Sequence, residues 1–178
     1  MVKDGTPFLE VPGNLLLMLN IDWFKPFVHT QYSVGVIYLV IQNLPRTVQF
    51  KPENVIIVSM IPGPSEPDCN HLNPYLEPMV NDLIKLWQGV VIKSPGSVFS
   101  SMILQAALSY ISCDLSATRK VCGFYGYNAN HGCSKCLKVF PSTFNSPPDF
   151  SGYERDKWPL RTTASHRLIA NRAKVAAT

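Results

Sequence analysis

The sequence predicts a mixed α/β fold in which three strands, a helix and a fourth strand follow one another. Three observations carry that prediction. Apolar, β-branched runs recur at Leu15–Asp22, Tyr32–Pro45 and Glu53–Pro64, each closed by turn residues. The hydrophobic period then changes to that of a helix over Leu72–Trp87. A last apolar stretch, Ile103–Asp114, ends in an acid, as the first one does.

Residues 1–13 are rich in turn signals and read as an entry segment. In "NLLLMLNIDWFKPF", Leu15 to Ile21 reads as a strand buried on both faces. Asp22 stands where that strand leaves the core, as a turn former, a helix cap or a metal ligand. The second and third runs follow after short connections and suggest an antiparallel meander, with Pro62-Gly63-Pro64 as a hard stop. In the helix, Asn73 is the expected N-cap, Pro74 the first helical residue and Gly89 the end. "VVIKS" reads as a short edge piece. "LSATRKVCGFYGYN" reads as a short helix or turn followed by a glycine-rich loop. Residues 141–163 are loaded with Pro, Ser and Thr and have weak periodicity. "ASHRLIANRAKVAAT" is helix-prone and ends without a cap.

At 178 residues there is room for one domain with a real core and a small satellite. A hydrophobic share of 46% and a charged share of 16% describe an ordered globular chain. The net charge of +4 suits a polyanionic partner without requiring one. The basic residues from Arg155 to Lys174 are loosely spaced and read as a solvated face. Five cysteines make an odd count, and only Cys133 and Cys136 are close. With no signal peptide and no Asn-x-Ser/Thr site, this points to an intracellular chain with reduced thiols. No apolar run approaches a membrane span, so a soluble protein is expected.

In a β-β-β-α-β order the first and fourth strands can lie side by side and parallel, joined through the helix. Asp22 and Asp114 then meet at one rim. Two carboxylates so placed repel one another unless a cation lies between them. Mg²⁺ or Mn²⁺ suits oxygen ligands, and a pair of such ions about 4 Å apart can cleave phosphodiesters. The plainer alternative is that Asp114 caps the following helix and Asp22 stabilises a turn.

The segments "LNIDWFKPFVHTQYSVGVIYLVIQNLPR", "ENVIIVSMIPGPSEP", "LNPYLEPMVNDLIKLWQGV" and "CDLSATRKVCGFYGYNANHGCSKC" together resemble the CACTA (En/Spm-type) DNA transposase family. The resemblance runs over nearly the whole chain and rests on the order of the "IPGP" turn, the "LW-x-GV" helix end and the acid followed by "GCxxC". It implies an RNase H-like fold with a DDE/D triad of metal-binding acids, in which Asp22 is the first acid and Asp114 the second. It also implies DNA as partner, at transposon ends and target, with a multimeric complete protein and a nuclear location. The domains implied are an entry segment (1–13), the amino-terminal part of an RNase H-like core (14–128), and a zinc-knuckle-like Cys-x-x-Cys insertion with a basic helical tail (129–178).

Two features depart from the family pattern. Ser116 stands where a proline is common. Past Cys136 the only acids are Asp149, Glu154 and Asp156, none on a convincing helix, so the third acid is missing. The core reads as incomplete, a fragment or a degenerate copy.

The remaining candidates divide in the same way. Cys133 and Cys136, with His131 before them and His166 downstream, supply part of a zinc site, and Cys122 is a third sulfur or a buried structural cysteine. A thioredoxin-like role lacks its βαβ context. Trp23, Phe24, His29 and Tyr32 either steer DNA or close the sheet end. Arg119 and Lys120, just after Asp114, are placed for a phosphate or for solvent. Gly123, Gly126 and Gly132 have the wrong spacing for a nucleotide loop. Beside an active transposase fragment stand two rivals. One is a catalytically dead, domesticated or decayed derivative binding DNA or protein. The other is a zinc-stabilised interaction module whose aspartates are only caps.

Overall fold

The structure, a computed structural model, describes residues 1–93, 101–124, 126, 129–141, 146, 149 and 154–176. Ser94, three positions of the expected glycine-rich loop (Tyr125, Tyr127, Asn128), most of the 142–153 stretch and the last two residues lie outside that set. So do the side chains of Arg155 and Lys174. The described residues form two compact units, Met1–Thr118 and Arg119–Thr178.

In the first unit, Leu15–Phe24 is β1, Val34–Ile41 is β2 and Val55–Ile61 is β3. They form the expected antiparallel meander, with Leu17 opposite Ile41 and Phe24 opposite Val34. The helix α1 runs from Cys69 to Gln88. After a two-stranded hairpin of β4 (Val90–Lys93) and β5 (Ser101–Leu104), strand β6 (Ala106–Ile111) returns to the meander. It pairs parallel to β1, so the four-stranded sheet has the order β3-β2-β1-β6.

Burial along β1 explains its composition. Leu17, Met18 and Leu19 are all buried, so both faces are covered there. From Asn20 onward burial alternates, with Ile21 inside and Asp22 exposed. The strand does not stop at Asp22 but continues to Phe24, because β2 still offers partners in Val36, Gly35 and Val34. Gly35 is needed there: a Cβ on it would stand 2.5 Å from Cζ3 of Trp23, whose ring lies across it. At the "IPGP" turn, a Cβ on Gly63 would stand 2.5 Å from the Ser33 carbonyl oxygen.

Helix α1 begins five residues before the expected start, with Asp68 rather than Asn73 as N-cap and Cys69 rather than Pro74 as first helical residue. Asp68 Oδ1 accepts the N–H groups of Asn70 and His71 at 3.0 Å each. Those two bonds support an added first turn, and Leu72 at 1% exposure anchors it to the core. Pro74 and Pro78 therefore fall inside the helix. Leu72, Leu76 and Met79 form the buried stripe, and α1 packs against β6 and β3. Gly89 closes the helix as expected, with a φ of 113°.

The stretch read as one strand, Ile103 to Asp114, is divided at Gln105. Before it the chain pairs in the hairpin; after it the chain enters the main sheet. Gln105 ties the corner, its carbonyl accepting Leu15 N–H at 2.8 Å and its amide donating to the Gln88 carbonyl at 3.2 Å. The first thirteen residues also contribute to the core. Phe8 is 1% exposed and stacks on Trp87 with centroids 5.5 Å apart.

Helix α2 (Leu115–Val121) follows β6. In the second unit, Lys135–Leu137 pairs with Pro159–Arg161 around a bridge between Cys136 and Leu160. Phe140 is buried and meets Trp158 edge-on. The tail forms α3, Thr163–Ala176, started by reciprocal bonds between Thr162 and Ser165. No helix among the described residues is long and apolar enough to cross a membrane.

Candidate functional site

The two strand-end aspartates are positioned by the way β1 and β6 part. Their last registered pair is Leu19 and Ile111. Beyond it Ser112 N–H donates to the Leu19 carbonyl at 2.9 Å, and side chains then replace the backbone ladder. Asn20 Nδ2 donates to the Ser112 carbonyl, and Ile21 N–H donates to Cys113 Sγ at 3.0 Å. β1 continues with β2 while the other chain turns into α2. Asp22 and Asp114 each lie three residues beyond the last pair, at the same end of neighbouring parallel strands.

Both aspartates are exposed. Asp22 Oδ1 accepts the N–H of Trp23 at 2.9 Å. Asp114 Oδ1 accepts the N–H of Ala117 at 2.6 Å, and its carbonyl accepts Thr118 N–H at 2.9 Å, so it caps α2. Among the described residues, neither acid has a basic partner and the second oxygen of each takes no hydrogen bond. Asp22, Asn20 and Tyr38 share one face of the sheet, since Asn20 pairs with Tyr38. Burial pushes the Tyr38 hydroxyl above the usual tyrosine range, and the negative charges of Asp22 and Cys113 add to this. Asn20, Tyr38 and Cys113 were missed in the sequence. The one polar residue inside the apolar run, Asn20, was the available signal.

The aromatics after Asp22 separate into two groups. Trp23 lies over Gly35, and Tyr32 packs edge-on to Phe27 beside Gly63, so these close the sheet end. Phe24 and His29 are exposed. Arg119, expected at a phosphate or in solvent, faces the chain itself. It is 8% exposed, and its guanidinium donates to the carbonyls of Gly132 and Gly126, the latter at 3.5 Å. This cation ties a loop together, and a loop that turns its carbonyls inward needs such a donor. Lys120 is half-buried.

All five cysteines carry free thiols. Cys133 Sγ accepts the N–H groups of Lys135 and Cys136 at 3.3 Å each. Burial pushes the Cys133 thiol up, but these donors, the Cys136 thiol and the Arg161 charge outweigh it and bring it below the usual thiol range. Burial pushes Cys136 and Cys122 up, and the neighbouring Cys133 sulfur raises Cys136 further. His166 is not gathered with the two sulfurs: its Nε2 donates to the Cys122 carbonyl at 3.1 Å. No three His, Cys, Asp or Glu side chains among the described residues converge as metal ligands.

Of the late acids, Glu154 pairs with Lys157 at 2.6 Å, Asp156 lies in the 3-10 turn Arg155–Lys157, and Asp149 donates its N–H to the Pro141 carbonyl. None lies on α3, which carries no acid.

A mixed α/β protein with paired acids at parallel strand ends is the class these features define. Residues 3–146 match the family model described as transposase family tnp2, and the chain belongs to that family. Its function is therefore transposase-related, with DNA as the partner such a function implies. No curated protein matches the chain.

Proposed function

We propose that the first unit is the amino-terminal part of an RNase H-like catalytic core of the CACTA (En/Spm) type, and that Asp22 and Asp114 hold Mg²⁺ or Mn²⁺ for DNA strand cleavage and transfer. The observation that carries this reading is the sheet order β3-β2-β1-β6 with the acids at one end of the parallel pair. The donor set fits a hard cation: two exposed carboxylates, each with one oxygen turned to a backbone N–H and the other open. A cation bound there would supply Lewis-acid charge for activating water and steadying the leaving oxygen. The chain's own contribution is to fix the carboxylates on a strand and a helix start, where little reorganisation is needed.

In that chemistry, water hydrolyses a phosphodiester at the element end and frees a 3′-hydroxyl. The hydroxyl attacks a target phosphodiester in line, forming one bond as the target's own 3′-oxygen departs. The third acid expected of such a core is not supplied by α3, and a multimer acting in the nucleus remains part of the proposal. Cys133 and Cys136 are proposed as two ligands of a structural zinc. Their support is the pair of N–H donors on Cys133 and its lowered thiol. Because the described residues do not close a tetrahedral set, no further role is derived for that metal.

A second reading is favoured by the 2.6 Å bond from Ala117 to Asp114. In it the acid is a cap, and the chain is a catalytically dead derivative that binds DNA or protein. Mn²⁺ titration followed by electron paramagnetic resonance separates the two. Metal binding that is lost in both Asp22→Asn and Asp114→Asn supports the catalytic reading, and nicking of a supercoiled plasmid in Mn²⁺ extends it. Binding that neither substitution changes rejects it.

A further inference from the structure

We propose that helix α3 is a docking surface for the phosphate backbone of duplex DNA, with Arg167 and Arg172 as its contacts. This rests on the transposase-related reading in which DNA is the partner, and it names a surface apart from Asp22 and Asp114.

Charge is divided unequally between the two units. Arg119–Thr178 holds ten of the sixteen Lys and Arg of the chain but three of its twelve Asp and Glu, a formal net charge of +7. Met1–Thr118 holds the other six and nine, a net charge of −3. The overall +4 therefore conceals a strongly basic second unit. A polyanion is repelled by the unit that carries the paired acids and attracted by the other.

Within the second unit, Glu154 is taken up by Lys157 at 2.6 Å, and α3 carries no acid. One side of α3 is held down. His166 donates through Nε2 to the Cys122 carbonyl at 3.1 Å and packs on the Phe124 ring, and Ile169 and Ala170 line the same cavity as His166. At 3.6 residues per turn, Ala164, Arg167, Leu168, Asn171 and Arg172 fall on the other side, and all five are exposed. Arg167 and Arg172 flank the ridge formed by Ala164, Leu168 and Asn171. Neither arginine has a hydrogen bond or an ion pair among the described residues.

Two unpaired guanidinium groups on opposite flanks of a ridge suit phosphates on the two walls of a groove. The 14 residues of α3 make a helix about 21 Å long, and a helix of roughly 10–12 Å diameter fits the major groove. Single-stranded DNA is held by stacking on aromatic rings, and the outward side of α3 has none. A membrane surface takes a broad apolar stripe, whereas Leu168 is the one large apolar residue of the five that face outward.

The test uses the whole chain and a short dye-labelled duplex, with anisotropy measured in EDTA over a range of salt. EDTA removes any cation at Asp22 and Asp114, so the readout does not depend on that site. The expected result is salt-sensitive binding. In the double variant Arg167→Gln with Arg172→Gln, the slope of log affinity against log salt should be shallower by about 1.8, and affinity at about 0.1 M salt lower by about ten- to a hundredfold. Both side chains are exposed, so the melting temperature should not move. Lys51→Gln with Lys93→Gln removes two exposed charges from the first unit and should leave the slope as it is.

An unchanged slope in the arginine variant overturns the proposal. So does an equal loss in the lysine variant, which would mark a response to net charge alone. Tighter binding of a single strand of the same length, or displacement of the duplex by phosphatidylserine vesicles, also overturns it. Absence of binding in EDTA at low salt removes this surface, while Mn²⁺ binding lost in Asp22→Asn and Asp114→Asn would leave the metal site standing. Binding through α3 in a chain whose Mn²⁺ affinity neither aspartate substitution changes supports the surface and rejects the catalytic reading.

Discussion

Asp114 is assigned two tasks in one side chain, and two substitutions separate them. Its Oδ1 accepts the Ala117 N–H at 2.6 Å, a bond that asparagine can also make. The second task, holding a divalent cation, needs the charge that asparagine lacks. Asp114→Ala loses both, and the cap alone is worth about 1 kcal/mol. For a chain of this size that lowers the melting temperature by about 2–4 °C. Asp114→Asn keeps the cap and loses only an exposed charge at the helix start. Its stability in EDTA should stay within about 0.5 kcal/mol of the unsubstituted chain.

Adding Mn²⁺ then distinguishes them further. At ten times its dissociation constant a bound cation stabilises the fold by about 1.4 kcal/mol, visible as a rise of a few degrees. That rise is expected for the unsubstituted chain and for neither variant. Calorimetric melts in EDTA and in Mn²⁺ read both effects. If asparagine costs as much as alanine in EDTA, the cap argument is wrong. If Mn²⁺ raises the asparagine variant's melting temperature as much as the parent's, Asp114 is not a ligand.

Three further outcomes follow from the packing and the thiols. Leu72→Ala, at 1% exposure under the first turns of α1, should cost about 2–5 kcal/mol in urea unfolding. Arg119→Ala strips the donor from the Gly126 and Gly132 carbonyls and should cost about 1–3 kcal/mol, with DNA affinity falling only as far as folding does. An affinity loss without a stability loss would return Arg119 to the DNA surface. Alkylation by iodoacetamide proceeds through the thiolate, so a lowered thiol reacts at lower pH. Cys133 should reach half its maximal rate below the pH that Cys136 or Cys122 requires; mass mapping across pH would show the reverse order if the N–H donors to Cys133 were absent.

What could be read from the sequence was decided by local chemistry, and what could not was decided by distant partners. The meander, the Gly89 helix end and the parallel return of the last strand all follow from period and turn residues. The helix start did not, because Asp68 and Asn73-Pro74 are both good openings. The burial of Leu72 against the sheet settles between them. An unbroken apolar run likewise hides a change of partner, and only the bonds of Gln105 to Leu15 and Gln88 reveal one. Phe8 lies in the turn-rich entry segment, yet it stacks on Trp87, far along the chain. Arg119 shows the same limit for charge. A cation next to an acid gives no sign in the sequence of the glycine carbonyls it serves.

The parting of the strands after Leu19 and Ile111 also explains how two like charges are tolerated without a cation. Had the parallel ladder continued in register, Asp22 and Asp114 would have been cross-strand neighbours, an arrangement that destabilises a sheet. Asn20 and Cys113 instead take the next hydrogen bonds with their side chains, which releases the second chain from the sheet. Asp114 is carried to the start of a helix, where the amide N–H groups favour negative charge. Asp22 stays on the strand and turns one oxygen to the Trp23 N–H. The same divergence that relieves the repulsion leaves an open oxygen on each acid. In this unit a helix cap and a metal ligand are therefore compatible roles for Asp114: one oxygen serves the Ala117 N–H and the other stays open.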